Sequence, residues 1–342
     1  MAISQAHRHV LVVGGAGYIG SVLCHTLLAQ GYRVRVLDAL IYDNSAALDN
    51  LTGQAGFSFC HGDMRRGSDV AKAMDGVSDV VLLAALVGDP ICRHYPELAF
   101  QINQSGTLQF VDRLNDYNVG RFIFMSTCSN YGLRDSNVEA TEESELNPRS
   151  LYAETKVHVE QRLLGQARDF SVTVLRSATA YGISPRMRFD LTVNEFTREL
   201  VLGNELLVYD ADAWRPYCHV EDIAEAVARV LAVPVSKVNG QVFNVGRVGE
   251  NFTKRILTEL LCDLIPASTI KYRPGVVDPR DYRVSFEKIR DRLAYAPRHS
   301  VKSFLPDLIG MLRNGEYVDI SDRLNFYGNY SIVGSSLEPQ VS

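Results

Sequence analysis

The chain has 342 residues, 46% hydrophobic and 22% charged, a balance that suits a folded core and excludes a disordered, collagenous or coiled-coil chain. Lys and Arg number 35 against 40 Asp and Glu, so the formal charge of -5 offers no general attraction for a nucleic-acid backbone or an anionic membrane. No apolar run reaches the roughly 18 residues that cross a bilayer, and 1–10 lack the apolar core of a signal peptide, which points to the cytoplasm.

In chain order, the β-branched apolar runs 10–13, 33–37, 57–61, 79–84, 121–126 and 171–176 read as strands. Between them, 18–30, 98–117 and 152–168 carry apolar residues at spacings of three and four and read as helices, with Gly31 and Gly120 at helix-ending positions. Strands alternating with helices predict an α/β fold: a Rossmann-type, doubly wound parallel sheet that binds ligands at the carboxyl ends of its strands. Beyond about Tyr181 shorter helices (193–202, 222–231, 253–264) mix with short strands (206–209, 242–245), predicting a smaller α/β substrate lobe. The division is then 8–180, 181–325 with the chain partly returning to the main domain, and a tail 326–342 rich in Gly, Ser and Asn, expected to be an arm or poorly ordered.

The six cysteines are far apart and form no C-x-x-C pair, so they read as free thiols. The histidines show no closely spaced pair, and no metal site is expected.

The strongest local signal is Gly14-Gly15-Ala16-Gly17-Tyr18-Ile19-Gly20, which follows an apolar strand and opens a helix. Gly14 permits the tight turn, Gly17 lets the backbone approach a pyrophosphate, and Gly20 lets the helix pack on the sheet. Tyr18 and Ile19 begin the helix whose unpaired N–H groups face the anion. Asp38, at the end of the second strand, is placed to accept hydrogen bonds from the adenosine ribose, and its charge disfavours a 2'-phosphate, so NAD is expected rather than NADP. Asp63, followed by Met64 after the third strand, is placed to bond the adenine amino group, although Asp after Gly is also a common turn residue.

Tyr152 and Lys156 are one helical turn apart, so an ammonium can lower the phenol's pKa and hold the nicotinamide ribose. A helical surface pair is the ordinary alternative, and the position of this one, after the strand end Met125-Ser126-Thr127-Cys128, gives it weight.

On these motifs the sequence resembles the extended short-chain dehydrogenases/reductases of the nucleotide-sugar epimerase/dehydratase group, from about Val10 to Met311. The resemblance implies Thr127, Tyr152 and Lys156 as catalytic residues, and Leu83, Ala84 and Ala85 as a segment lining the cofactor. Asn103 matches an Asn that braces the active-site strand and is expected among the cofactor-binding residues. In the second lobe it implies Asn194, Thr179, Val208, Arg215 and Arg280 as contacts to a nucleotide-diphosphate sugar, with Thr179 standing where many members have Asn. Such enzymes are homodimers that pair helices 98–117 and 152–168. The dehydratases of the group carry Asp-Glu after the catalytic Thr. Cys128 and Ser129 stand there instead, which argues against sugar dehydration. Cys128 reads as a packed strand-end residue sooner than an acid/base, and His219 as a packed histidine.

The leading expectation is an NAD-dependent oxidoreductase acting at sugar C4, most simply a 4-epimerase working through a transient 4-keto sugar. Residues 83–90 and 182–194 are also similar to segments of GDP-heptose 4-dehydrogenases, so net 4-oxidation or 4-reduction stays open. A non-catalytic dinucleotide-sensing scaffold is the remote alternative, against which the intact glycine turn and Tyr/Lys pair stand.

Overall fold

The computed structural model describes residues 8–135, 137–274 and 280–333. Seven parallel strands form the main sheet, in the spatial order Gln241–Val245, Ser171–Ser177, Arg121–Thr127, Asp79–Leu82, His9–Val13, Arg33–Asp38 and Phe57–His61. The chain starts in the middle, builds outward to one edge, and then returns to build the other. The order therefore reverses between His9–Val13 and Asp79–Leu82, which is where a doubly wound sheet opens its ligand crevice.

His9–Val13 is buried along its length, as a central strand covered on both faces must be. Its side chains alternate between two cores. Val10 and Val12 join the core on one face, with Leu23 and Leu27 of helix Tyr18–Ala29 and Ile223 and Val227 of helix Val220–Ala232. Leu11 and Val13 join the other, with Phe110, Val159 and Leu163.

Three expectations need correction. The run 98–117 is not one regular helix. Helix Pro96–Phe100 continues into a π-helical turn, Gln101–Gly106, before helix Thr107–Arg113, and the Thr107 hydroxyl donates to the Ile102 carbonyl at 3.0 Å. Such a bulge re-aims side chains without ending the helix, and here it turns Asn103 inward. The short strand expected at 242–245 in the second lobe belongs instead to the main sheet, pairing in parallel with Ser171–Ser177 and burying Phe243 and Val245. The tail is packed as far as it is described: Phe326, Tyr327 and Ile332 are buried, the Phe189 N–H donates to the Tyr327 carbonyl, and the Val333 N–H donates to that of Ile41. Residues 334–342 lie outside the described residues.

The second lobe contains a three-stranded sheet, Asn251–Thr253, Trp214–His219 and Thr179–Tyr181, and the parallel pair Thr269–Arg273 and Glu205–Tyr209. Helices Thr192–Val201 and Lys254–Leu264 lie beside them. No helix among the described residues is long and apolar enough to cross a membrane.

Candidate active site

One cleft opens at the carboxyl ends of the central strands, and the glycine turn forms its floor. Gly14 adopts φ +86°, and a Cβ there would fall 2.6 Å from the Ala84 amide nitrogen; a Cβ on Gly20 would fall 2.3 Å from the Gly14 carbonyl oxygen. Both positions therefore require glycine. At Gly17, where helix Tyr18–Ala29 begins, the backbone lines the cleft, leaving unpaired N–H groups of the helix start beside it.

Asp38 accepts from the Ala16 N–H and the Leu40 N–H, each at 2.9 Å, which fixes its carboxylate on the cleft wall. Burial pushes this carboxyl up, against the two amide bonds and the nearby Arg186. Asp63 and Met64 also line the cleft, but the Asp63 carboxylate is gripped by Arg65, with Nη2 2.6 Å from Oδ2. Burial works to raise the Asp63 carboxyl, and the Arg65 bonds outweigh it and hold it below the usual range. Leu83, Ala84 and Ala85 complete this wall, tied to the floor by the Leu83 and Ala84 amides, which both donate to the Val13 carbonyl at 2.9 Å.

Tyr152 and Lys156 project into the opposite end from helix Leu151–Leu164, whose start is capped by the Ser150 hydroxyl. The Lys156 ammonium donates to the Met125 carbonyl at 2.9 Å and lies 4.7 Å from the Phe124 ring centroid. Burial pushes it down to about 8, against the charge of Glu160. Tyr152 departs from expectation. Its phenol is pushed up, first by burial and then by Cys92 and Asp89, while Arg188 and a hydrogen bond with Thr127 act the other way. The lysine stands 6.0 Å from the ring centroid and does not offset the desolvation. Thr127 lines the same end of the cleft and accepts from the Ser129 N–H at 3.0 Å.

A buried polar cluster supports this strand end. Glu160 pairs with Arg176 at 2.8 Å, accepts from Asn130 Nδ2 at 2.7 Å, and takes the Ser126 hydroxyl. Cys128 lies out of the cleft, its thiol donating to the Arg176 carbonyl at 3.2 Å and pushed well up by burial, whereas Ser129 lines the cleft. His219 is packed, as expected. Burial and His299 push it down to about 3, and its Nδ1 accepts from the Glu221 N–H. His219, Glu221 and His299 do cluster, but the two rings stack at 4.0 Å with a 22° tilt, so their in-plane lone pairs run side by side and do not converge on one ion.

The remaining sequence-derived site residues divide. Thr179 and Arg280 line the cleft, and Arg280 Nη1 lies 3.2 Å from Asp89 Oδ2. Arg215 sits behind that wall, its guanidinium 5.4 Å from the ring centroid of Tyr282, which lines the cleft. Asn103 does not reach the cleft. Its side-chain amide clamps both backbone groups of Leu86, at 2.8 Å and 3.0 Å, so it holds the loop after Asp79–Leu82 in place. Asn194 is wholly buried, accepting from the Gly182 N–H and donating to the Arg188 carbonyl and the Tyr18 hydroxyl. Val208 points into the core of the second lobe. The expected ligand contacts of these last three give way to internal ones because buried amides must be satisfied locally and a buried valine has only apolar neighbours.

The sequence reading missed Asp89, Arg186, Arg188 and Asn329, all of which line the cleft. Two arginines within the apolar stretch 183–191 were the visible signal. Asp190, two residues beyond Arg188, takes that guanidinium in a two-pronged pair at 2.6 Å and 2.9 Å.

The glycine floor, the Asp38 carboxylate on its wall and the helical Tyr/Lys pair at the far end define a dinucleotide-binding oxidoreductase of the Rossmann class. The model of the NAD dependent epimerase/dehydratase family matches residues 10–246, and the chain belongs to that family. It is 28% identical over 317 residues to a UDP-glucose 4-epimerase of Halalkalibacterium halodurans, covering 85% of this chain and 91% of that one. Among solved structures, the UDP-glucose 4-epimerase of Thermus thermophilus in complex with NAD superposes with a TM-score of 0.77 at 26% identity, over 90% of this chain and 99% of that one. The dTDP-glucose 4,6-dehydratase DesIV of Streptomyces venezuelae, with NAD bound, superposes with a TM-score of 0.78 at 28% identity, over 90% of this chain and 98% of that one. The protein is an NAD-dependent enzyme of the sugar epimerase/dehydratase type, and the floor and walls of its cleft fit that cofactor.

Proposed function

We propose that the protein is a 4-epimerase of a nucleotide-diphosphate sugar. The observation that carries this reading is the convergence of Tyr152, Lys156 and Thr127 on one end of a cleft whose other end is built by the glycine turn and Asp38. The glycine turn and helix start would hold the cofactor's pyrophosphate, Asp38 its adenosine ribose, and Lys156 its nicotinamide ribose. When bound, NAD supplies a hydride acceptor at C4 that can return the hydride.

Tyr152 takes the proton of the C4 hydroxyl as the hydride leaves C4, and Thr127 donates a hydrogen bond to the same oxygen. Lys156, one turn away, would hold the nicotinamide ribose; in the cofactor-free protein its charge does not offset the burial of the phenol. Arg280, with Arg215 behind it, would hold the sugar nucleotide through its diphosphate while the 4-keto sugar turns over, and Tyr152 would return the proton to the C4 oxygen when the other face of C4 is reduced. Relatives of similar length named as UDP-glucose 4-epimerases support this reading. Against dehydration, no carboxylate stands at Cys128 or Ser129 to eliminate and restore a hydroxyl.

Incubating the purified protein with UDP-glucose, UDP-galactose and GDP-hexoses, with chromatography of the sugars and absorbance at 340 nm, tests the proposal. Interconversion of 4-epimers with no net NADH is expected. Stoichiometric NADH gain or loss would establish net oxidation or reduction instead, and a 4-keto-6-deoxy product would establish dehydration.

A further inference from the structure

Beside the glycine turn lies a group of polar side chains to which no role has yet been given. Tyr42, Asn44 and Arg186 are 6%, 3% and 3% exposed, and all three line the cleft. Each also holds a buried polar atom with no hydrogen-bond partner: the Tyr42 hydroxyl, Asn44 Oδ1 and Arg186 Nε. Orphaned buried polar atoms are rare, and three on the wall of one cleft mark a place built for a ligand that supplies both acceptors and donors. Their position says which part of which ligand. Asn44 Nδ2 donates to the Ala16 carbonyl of the glycine turn at 2.7 Å, and the charge of Asp38 acts on Arg186.

Arg186 is held in this position by the C-terminal segment. Its Nη2 donates to the carbonyls of Asn325 and Gly328 and to Asn329 Oδ1, and its guanidinium lies 4.8 Å from the Tyr42 ring centroid. The segment is itself fastened to three other loops. Asn329 Nδ2 donates to the Val87 carbonyl, the Asn329 N–H donates to Asp190, and the Val333 N–H donates to the Ile41 carbonyl. Residues 325–333 thus run from the loop after strand Asp79–Leu82 to the loop after strand Arg33–Asp38, spanning the two sides of the crevice. Burial and the neighbouring Arg188 push the Arg186 guanidinium down to about 10, the state of a buried cation that gains from an anion beside it.

We propose that Arg186, with Tyr42 and Asn44, is a second grip on the dinucleotide: its guanidinium binds the cofactor's diphosphate beside the glycine turn, and residues 325–333 strap it in place. The cofactor is then retained through the turnover, as a reaction that returns its hydride to the same sugar requires. In this the proposal rests on the epimerase reading, while the grip itself rests only on the dinucleotide cleft.

The test follows the release of NADH from the full-length protein, loaded with NADH and diluted into excess NAD, by the decay of its fluorescence. Arg186→Gln is expected to release NADH about tenfold or more faster than wild type, and Tyr42→Phe or Asn329→Ala about threefold or more. Asp38→Ala is the positive control. Thermal melting of the cofactor-free variants identifies those that fold, and if Arg186→Gln does not fold, Tyr42→Phe and Asn329→Ala decide. Release within twofold of wild type in the folded Arg186, Tyr42 and Asn329 variants, with Asp38→Ala fast, overturns the second grip alone. If Asp38→Ala is unchanged as well, the assignment of the cleft to the dinucleotide falls with it.

Discussion

Arg280 and Asp89 face each other at 3.2 Å within the cleft, tying the second lobe to the loop after strand Asp79–Leu82. A guanidinium that grips the substrate's diphosphate must loosen this pair to do so. Arg280→Gln is therefore expected to raise KM for the sugar nucleotide about tenfold or more with kcat within threefold. Asp89→Asn removes the competing charge and is expected to lower KM by about threefold. Steady-state kinetics on both variants checks the opposed signs; KM moving the same way in both would contradict the competition.

Tyr152→Phe keeps the ring and removes the proton acceptor. Turnover is expected to fall by about 10³-fold, while NADH release from the loaded protein stays within twofold of wild type. Single-turnover reduction of bound NAD by substrate measures the chemical step directly, and undiminished reduction would remove Tyr152 from it.

Burial drives the Lys156 ammonium down to about 8 in the folded cofactor-free protein, whereas the unfolded chain titrates near 10.4. Between those values the unfolded state binds more protons, so stability rises with pH there, and the destabilisation is fully present below pH 8. Compared with Lys156→Met, the melting temperature of the cofactor-free wild type is expected to rise as pH goes from 8 to 10. A constant difference over that window would contradict the burial assignment.

Much of this site was legible in the sequence, because backbone-driven features leave local signatures. Gly14 and Gly20 are required by contacts within a few residues or with one neighbouring strand, and the Tyr152/Lys156 spacing is a property of a single helix. Asn103 and Asn194 were misread for the converse reason. An amide's partners are set by tertiary packing, and both found backbone groups inside the protein, Leu86 for one, and Gly182 and Arg188 for the other. The strand at 241–245 was recognised as a strand but placed in the wrong sheet, since its sequence does not say which edge it pairs with. The packing of 326–333 was hidden for the same reason: its polar composition suggests a free tail, and its anchors, Arg186, Asp190 and Ile41, lie more than a hundred residues away.

Glu160 and Arg176 pair beneath Thr127 with almost no exposure. Replacing Glu160 with Gln leaves the guanidinium buried without its counter-charge, and a loss of about 3–5 kcal/mol is expected, or roughly 5 °C or more in melting temperature. Calorimetry of the variant measures it, and a shift under 1 °C would show the pair to be dispensable.

Cys128 faces away from the cleft with its thiol on the Arg176 carbonyl. Cys128→Ala is expected to keep kcat within about threefold, a change smaller than loss of an acid/base group brings. A hundredfold loss in a folded variant would restore it as an acid/base candidate.

Asp38 holds the amides of Ala16 and Leu40 with the same carboxylate that lines the cleft and is proposed to meet the adenosine ribose. On that proposal, coenzyme preference and the shape of the loop that presents it are fused in one side chain. An engineer seeking to convert this scaffold to the phosphorylated coenzyme would have to supply new acceptors for both amides along with the cationic partner, because a simple exchange at this position undoes the turn it was meant to re-purpose.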